Sequence, residues 1–161
     1  MIWLYIIGGI VVLLGFTAFF GAPYVPSRRR DVESLFTKGY LLTADDVVLD
    51  LGSGDGTVLR VVRGLGAAAV GYELHPLLYW LSKLLSPGVT VRMVNIWTTP
   101  FPDDVTVVYI FSVGRDGKRL VRKMQREVQR LGRELTLICY GNPLPGVMPV
   151  KEVGPYLVYR F

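Results

Sequence analysis

The feature that most constrains the fold is a short apolar run that leads into a glycine-rich turn. Residues 46–51 have the composition of a buried strand, with Asp50 as the acid near the end of the run. Residues 52–56 follow with the sequence Gly-Ser-Gly-Asp-Gly, and residues 56–65 have helical spacing of apolar positions. Glycine permits a tight turn and a close approach of backbone to a ligand. A strand, a glycine turn and a helix in this order predict the first unit of an α/β fold with a ligand site at the turn.

The rest of the chain alternates between strand-like and helix-like segments. Strands without polar alternation, separated by helices, indicate a parallel sheet that is covered on both faces. The predicted fold class is therefore α/β, a seven-stranded doubly wound (Rossmann-like) sheet with a C-terminal antiparallel hairpin. Strands are predicted at residues 46–51, 67–74, 89–95, 105–111, 134–140, 148–153 and 156–161, and helices at residues 28–38, 56–65, 76–85 and 115–131.

The N-terminus is a long apolar segment that carries no charge before Arg28. Residues 2–20 are long enough to cross a bilayer core, which needs roughly 20 helical residues. A cleaved signal peptide and a buried core helix are the alternatives, but the run lacks a basic start and is long for a signal peptide. Trp3 and Tyr5 at one end, with Tyr24 and the basic residues 28–30 at the other, are typical of interfacial positions. We expect a transmembrane anchor over residues 1–22, and a single domain over residues 23–161 that faces the cytoplasm by the positive-inside rule.

Charge and the reactive side chains exclude several classes of site. The formal net charge is +5, and mean hydropathy is +0.39. Such a charge is compatible with anionic lipid or nucleic acid as a partner, and equally with neither. The sequence has one cysteine, Cys139, and one histidine, His75. This excludes an intrachain disulfide and a cysteine or histidine metal cluster, so we expect no metal site.

The residues around the glycine turn suit a cationic ligand better than a dinucleotide. A dinucleotide fold needs G-x-G-x-x-G, but Thr57 stands where the third glycine belongs. Asp50 and Asp55 place negative charge where a pyrophosphate would lie, which is unfavourable for a phosphate group and natural for a ligand with an ammonium and a sulfonium group. Glu73 ends the second strand, 21 residues after Gly52, where an acid accepts hydrogen bonds from ribose hydroxyls.

These motifs resemble those of the class I, seven-stranded methyltransferases that use S-adenosylmethionine (SAM). Residues 47–56 look like their first motif and residues 71–74 like their second. More narrowly, residues 23–26, 50–56 and 71–76 resemble the ATP synthase c-subunit lysine methyltransferases and their prokaryotic relatives. The resemblance implies SAM as cofactor and a binding site that comprises Asp50, Leu51, Gly52, Ser53, Gly54, Asp55, Gly56, Glu73, Leu74, Asn95, Ile96 and Trp97.

The expected function is therefore a membrane-anchored methyltransferase that modifies a lysine of a membrane protein. No catalytic base is identified; Tyr24, Trp97 and Phe111 are candidates for lining the acceptor channel. Residues 110–114 hold no acid, and no Asn/Asp-Pro-Pro-Tyr pattern is present, which counts against methylation of adenine or glutamine. The alternatives are methylation of a lipid or quinone-like molecule, and a SAM- or RNA-binding module without catalysis. The many cations of residues 115–133 are expected to orient the protein on a membrane rather than to bind nucleic acid.

Overall fold

The computed structural model describes residues 1–5, 7–9, 27–112 and 114–161 of the chain. Within them, the structure confirms the predicted α/β fold as one seven-stranded sheet in the order β3-β2-β1-β4-β5-β7-β6. Strands β1 to β5 are parallel, and β7 runs antiparallel between β5 and β6. The strands are β1 Val47–Leu51, β2 Ala68–Glu73, β3 Thr90–Met93, β4 Val107–Ser112, β5 Thr136–Gly141, β6 Lys151–Val153 and β7 Tyr156–Arg160.

The helices differ from the prediction mainly at the first of them. The continuous helix expected over residues 28–38 is a six-residue helix, α1 (Arg29–Ser34), that widens into a π-helical turn over Leu35–Gly39. The N–H of Tyr40 donates to the carbonyl of Leu35 over 2.7 Å, five residues back, which closes that wider turn. The remaining helices are α2 Thr57–Gly64, α3 Pro76–Leu85 and α4 Gly117–Leu131, the last preceded by a 3₁₀ turn over Gly114–Asp116.

The connections place the helices on two faces of the sheet. The crossovers that contain α2 and α3 run from β1 to β2 and from β2 to β3, so right-handed connections put both helices on one face. The crossover that contains α4 runs the opposite way across the sheet, from β4 to β5, and α4 therefore lies on the other face. Each face has its own buried apolar cluster, one around Leu120 and Met124 of α4 and one around Val58 and Val62 of α2.

A buried ion pair on α4 holds the long connection between β3 and β4. Lys123 and Glu127 lie one helical turn apart, their charged atoms are 2.6 Å apart, and both side chains are under a tenth exposed. Lys123 Nζ also donates to the carbonyl of Thr99 over 2.7 Å, and Glu127 accepts from the Phe101 N–H over 3.2 Å. Arg130 adds a hydrogen bond to Glu127 over 2.8 Å. Burial alone would raise the pKa of Glu127, but the hydrogen bonds from Lys123, Arg130 and Phe101 lower it overall.

We predict that Lys123→Ala lowers the free energy of unfolding by about 1.5–3 kcal/mol, since it removes a charged hydrogen bond to the buried Glu127 and leaves Arg130 as its remaining cation. Urea unfolding at neutral pH measures the loss. Lys118→Ala on the exposed side of the same helix is the matched control, expected to change stability by less than about 0.5 kcal/mol. Equal, small losses in both variants would contradict the structural role of the pair.

Most of the predicted membrane anchor lies outside the described residues. Of residues 1–22, the structure describes residues 1–5 and 7–9, of which 2–5 and 7–9 are helical and exposed. Among the residues it describes, no helix combines the length and the apolar character needed to cross a bilayer.

Candidate functional site

The glycine-rich turn is fixed to the neighbouring strand by one carbonyl group. The N–H groups of Gly52 and Ser53 both donate to the Tyr72 carbonyl, over 2.8 and 3.0 Å. Gly52 has a φ of 87°, and no atom lies within 4 Å of the position that a Cβ would occupy there. Leu51 just before the turn is buried in the core under α4. The turn therefore leaves the sheet abruptly and presents open space beside backbone N–H groups.

Two buried acids meet beneath this turn. Asp50 is 3% exposed and Glu73 is 7% exposed. Glu73 accepts the Gly54 N–H at one carboxylate oxygen and the His75 N–H at the other, each over 2.8 Å. Burial, and then the negative charges of Glu73 and Asp55, raise the pKa of Asp50 well above its usual range. No cation pairs with Asp50 among the described residues, so the site carries uncompensated negative potential.

Asp55 has a different local role from Asp50. Its carboxylate accepts the N–H and the hydroxyl of Thr57, both over 3.0 Å, and so forms an Asx turn just before α2. It also lies 3.3 Å from Arg60. Thr57, which replaces the third glycine of a dinucleotide motif, is thus used to anchor the turn. Gly56 is crowded by Ser82 of α3, which leaves no room for a side chain there.

Ser53 and Leu74, two further predicted site residues, make no side-chain hydrogen bond among the described residues. Ser53 is 5% exposed, and its hydroxyl has no hydrogen-bond partner in the described part of the chain. Leu74 follows Glu73 and is 38% exposed at the start of the connection to α3. An unpartnered buried hydroxyl beside an open turn is a group that a ligand would satisfy.

The predicted adenine-binding segment lies beside Glu73. The Val94 N–H donates to the carbonyl of Glu73 over 3.1 Å, which brings the following residues to the same end of the sheet. Asn95 accepts the Trp97 N–H at its side-chain oxygen over 2.9 Å, so that oxygen shapes the turn. Ile96 and Trp97 are half-buried against the core under α4. The guanidinium of Arg119 lies 4.4 Å from the Trp97 ring centroid.

Of the three predicted acceptor-channel residues, the structure describes Trp97 and Phe111 and shows them in different packing environments. Trp97 packs against the core under α4, whereas Phe111 at the end of β4 stacks on Tyr140 of β5, with ring centroids 5.0 Å apart. Tyr140 in turn contacts Tyr156 edge-on at 5.2 Å and packs against the core on the other face. Tyr24 lies outside the described residues.

Sequence reasoning missed several residues that shape this end of the sheet. Tyr140 is adjacent to Phe111 across two parallel strands, a pairing that requires the strand order. Tyr72 holds the turn through its carbonyl and the β3–β4 connection through its hydroxyl, which donates to the Pro100 carbonyl over 2.7 Å. Lys123 and Glu127 are visible in the sequence as an i, i+4 pair, but nothing in the sequence indicates that the pair is buried.

A shallow cavity of about 300 Å³ lies at the opposite end of the strands and is separate from this site. Its lining includes Thr106 before β4 and Thr136 at the start of β5, together with Arg133 and Arg160. No three His, Cys, Asp or Glu side chains in the described ranges are grouped so that they could hold a metal ion.

We predict that Asp50→Asn raises the melting temperature at pH 8 and raises it less at pH 4. The raised pKa of Asp50 means that folding disfavours the ionised form. The penalty is absent below the pKa of the unfolded chain and grows as pH rises through the folded pKa. For a chain of this size, each kcal/mol relieved raises the melting temperature by about 2–4 °C.

Thermal scans at the two pH values measure this difference, and Asp45→Asn at an exposed turn is the matched control. A lower melting temperature of Asp50→Asn at pH 8 would show that the carboxylate is stabilised in the folded chain, contrary to a penalty from burial.

Comparison with known proteins gives relatives by sequence and by structure, although no protein-family model matches the chain. The ATP synthase c-subunit lysine N-methyltransferase of Xenopus laevis is 32% identical over 138 residues, which are 82% of this chain and 58% of that protein. The human protein of the same name is 29% identical over the same share of this chain and 57% of its own length. The chain thus spans a little under three fifths of the length of the curated relatives it matches.

Solved structures share the fold. An RNA methyltransferase from Salinibacter ruber, in complex with S-adenosyl-L-homocysteine, superposes with a TM-score of 0.70 at 21% identity over 85% of this chain and 92% of that one. A SAM-dependent methyltransferase from Geobacter sulfurreducens, in complex with the same molecule, gives a TM-score of 0.58 at 18% identity over 84% of this chain and 58% of that one. From the sheet order, the turn and these relatives, the chain belongs to the class I methyltransferase family.

Proposed function

We propose that the chain is a SAM-dependent methyltransferase that transfers a methyl group to a lysine side chain of a protein. The observation that carries the proposal is the pair of buried acids, Asp50 and Glu73, under an open glycine turn at the carboxyl end of the parallel strands. The switch point of the sheet lies between β1 and β4, where ligands of such folds bind. The c-subunit lysine methyltransferases to which the chain is similar support the same activity.

The residues present fit SAM rather than a phosphate-bearing ligand. Burial and the neighbouring acids disfavour the ionised form of Asp50, and a bound cation would favour it; SAM carries an ammonium and a sulfonium. Each carboxylate oxygen of Glu73 accepts one backbone N–H and keeps a lone pair free for a hydroxyl donor. Open space at Gly52 completes a cradle for a small polar ligand.

We assign each predicted cofactor-binding residue to one part of the SAM molecule. When bound, SAM supplies a methyl group on a positively charged sulfur. Asp50 holds the ammonium end, with Leu51 and the turn residues Gly52–Gly56 around it, and Glu73 holds the ribose with Leu74 beside it. Asn95, Ile96 and Trp97 hold the adenine, and Lys123 and Glu127 position them through the β3–β4 connection.

The acceptor side is assigned to the aromatic residues at the ends of β4 and β5. Phe111 is 36% exposed and stacks on Tyr140, so the pair offers an apolar wall at the strand ends. A lysine must lose its proton before it attacks, and an apolar wall lowers an ammonium pKa by removing water. The residues therefore act by positioning and desolvating the amine, and no dedicated base is required.

The acceptor protein and the location are also part of the proposal. Residues 2–20 carry no charge and are long enough to span a bilayer, which supports an anchor over residues 1–22. The basic residues 28–30 that follow favour the cytoplasmic side for the methyltransferase domain. An enzyme held in this way meets lysines of membrane proteins near the surface, and we propose such a protein as the substrate.

We predict that Asp50→Asn and Glu73→Gln each weaken SAM binding by about tenfold to a hundredfold, since a hydrogen bond to a charged group contributes about 1.5–3 kcal/mol. Isothermal titration calorimetry with the full chain measures the affinity. Asp104→Asn, at an exposed turn at the opposite end of β4, is the control and should bind as the unchanged protein does. Unaltered affinity in both site variants would overturn the cofactor assignment.

We expect label from methyl-labelled SAM to enter protein when the enzyme is incubated with membranes from its source cells. Mass spectrometry should then find methylated lysine in a membrane protein, and Asp50→Asn should abolish the signal at limiting SAM. Label that extracts entirely into organic solvent would instead indicate a lipid or quinone-like acceptor. Label found only in RNA would also contradict the proposal.

A further inference from the structure

Helix α3 presents large apolar side chains to solvent on the side that faces away from the sheet. Leu77, Trp80, Leu81 and Leu84 follow one another at helical spacing, and their exposed fractions are 56, 61, 38 and 78%. We call these four residues the α3 apolar face. The buried side of the same helix carries Ser82, which is completely buried. A helix that is apolar on its outer face as well as against its sheet is normally covered on both sides.

The charges around the α3 apolar face have one sign. Residues 56–102 contain a single acid, Glu73, which is buried beneath the glycine turn. The exposed charged side chains in this stretch are cations: Arg63 at the end of α2, Lys83 on α3 and Arg92 on the edge strand β3. The surface therefore combines exposed leucine and tryptophan with an excess of positive charge.

The placement of Lys83 follows the pattern of side chains at a bilayer interface. Its Nζ atom lies 5.5 Å from the Trp80 ring centroid and 5.7 Å from that of Tyr79. Tryptophan and tyrosine with lysine beside them occupy the headgroup region, where the rings contact acyl chains and the amine reaches water and phosphate. A helix of this composition lies in the plane of the interface rather than across the membrane.

We propose that the α3 apolar face, with the cations beside it, docks on the surface of an anionic bilayer. A second copy of the chain would fit poorly, because a symmetric interface would set the same cations against each other without an acid to offset them. Anionic lipid satisfies both the apolar and the charged components of this surface.

The surface adjoins the proposed active site. Helix α3 begins at Pro76, three residues after Glu73, and the exposed Leu74 lies between them. Met93, 53% exposed, ends the edge strand next to Glu73 in the pairing of β2 with β3. Docking of this face would bring the carboxyl ends of the strands to the membrane. The inference goes beyond methyl transfer, and its test needs neither SAM nor a substrate, so the two proposals fail independently.

A fluorophore at a single position distinguishes contact through α3 from contact through the apolar N-terminus. The full chain carries Leu84→Cys labelled with an environment-sensitive dye, and the matched control carries Gln125→Cys on the exposed side of α4, across the sheet. The native Cys139 is fully buried, and burial raises its pKa to about 12, so it does not take up the label in the folded protein.

Vesicles of phosphatidylcholine, with and without phosphatidylglycerol, contain lipids with a quencher on the acyl chain. We expect quenching of the dye at position 84 in the anionic vesicles, and little at position 125 or in the neutral vesicles. A dye at position 84 that stays in water while the protein floats with the vesicles would overturn the proposal. Equal quenching at both positions, or in both kinds of vesicle, would overturn it as well.

A second pair of variants tests the apolar component alone. Trp80→Glu in the labelled Leu84→Cys protein should require about tenfold or more lipid for half-maximal quenching, because it puts a charge in place of apolar area that docking would bury in the bilayer. Met148→Glu, at an 85% exposed position before β6 at the far edge of the sheet, should leave the lipid requirement unchanged. Equal effects of the two substitutions would assign the contact to another surface.

Discussion

The carbonyl oxygen of Tyr72 joins the glycine turn to the rest of the sheet, and the geometry of the site depends on it. It accepts the N–H groups of both Gly52 and Ser53, so the pairing of β1 with β2 continues into the turn. Glu73, the next residue, then reaches the Gly54 N–H with its carboxylate. Because the strands are parallel and in register, the ends of both strands meet at one place, and Asp50 becomes buried beside Glu73.

This arrangement has an energetic cost that a ligand would offset. Two acids in a site with little water repel each other, and no cationic side chain among the described residues pairs with Asp50. A protein selected for stability alone would hold a neutral side chain at that position. The free chain instead keeps a site whose negative potential can attract a cation. The electrostatic cost of burying Asp50 therefore lies where the binding of a cation would relieve it.

The sequence predicted the strands better than the contacts between side chains. Apolar runs bounded by turn residues determine strand positions within a few residues, although β6 begins at Lys151 rather than at 148. Gly39, at the end of the π turn, packs so closely against Val153 that a Cβ there would collide with it, a contact between distant parts of the chain. The burial of Lys123 and Glu127 likewise depends on where the β3–β4 connection lies. Trp97 and Phe111 are separated because Trp97 follows β3 and packs on the α4 face of the sheet, whereas Phe111 belongs to β4 and packs with Tyr140 of the other face. The pattern of neighbouring residues in the sequence does not indicate these contacts between distant parts of the chain.

Side-chain contacts that the sequence does not show also decide which helix suits a membrane. The number of cations in the sequence favours α4, whereas the exposed apolar side chains in the structure favour α3. The cations of α4 suggest a surface that faces lipid, but Lys123 is buried with Glu127 and Arg130 bonds Asp103 and Glu127. Arg119 covers Trp97. These cations stabilise the fold, and their charge is already partly offset by acids. On α3 a single lysine stands among exposed leucines and a tryptophan, and residues 74–102 contain no acid, so this helix offers a bilayer exposed apolar area with a cation beside it. Net charge along a helix is therefore a weaker guide to membrane contact than exposed apolar area with a cation beside it.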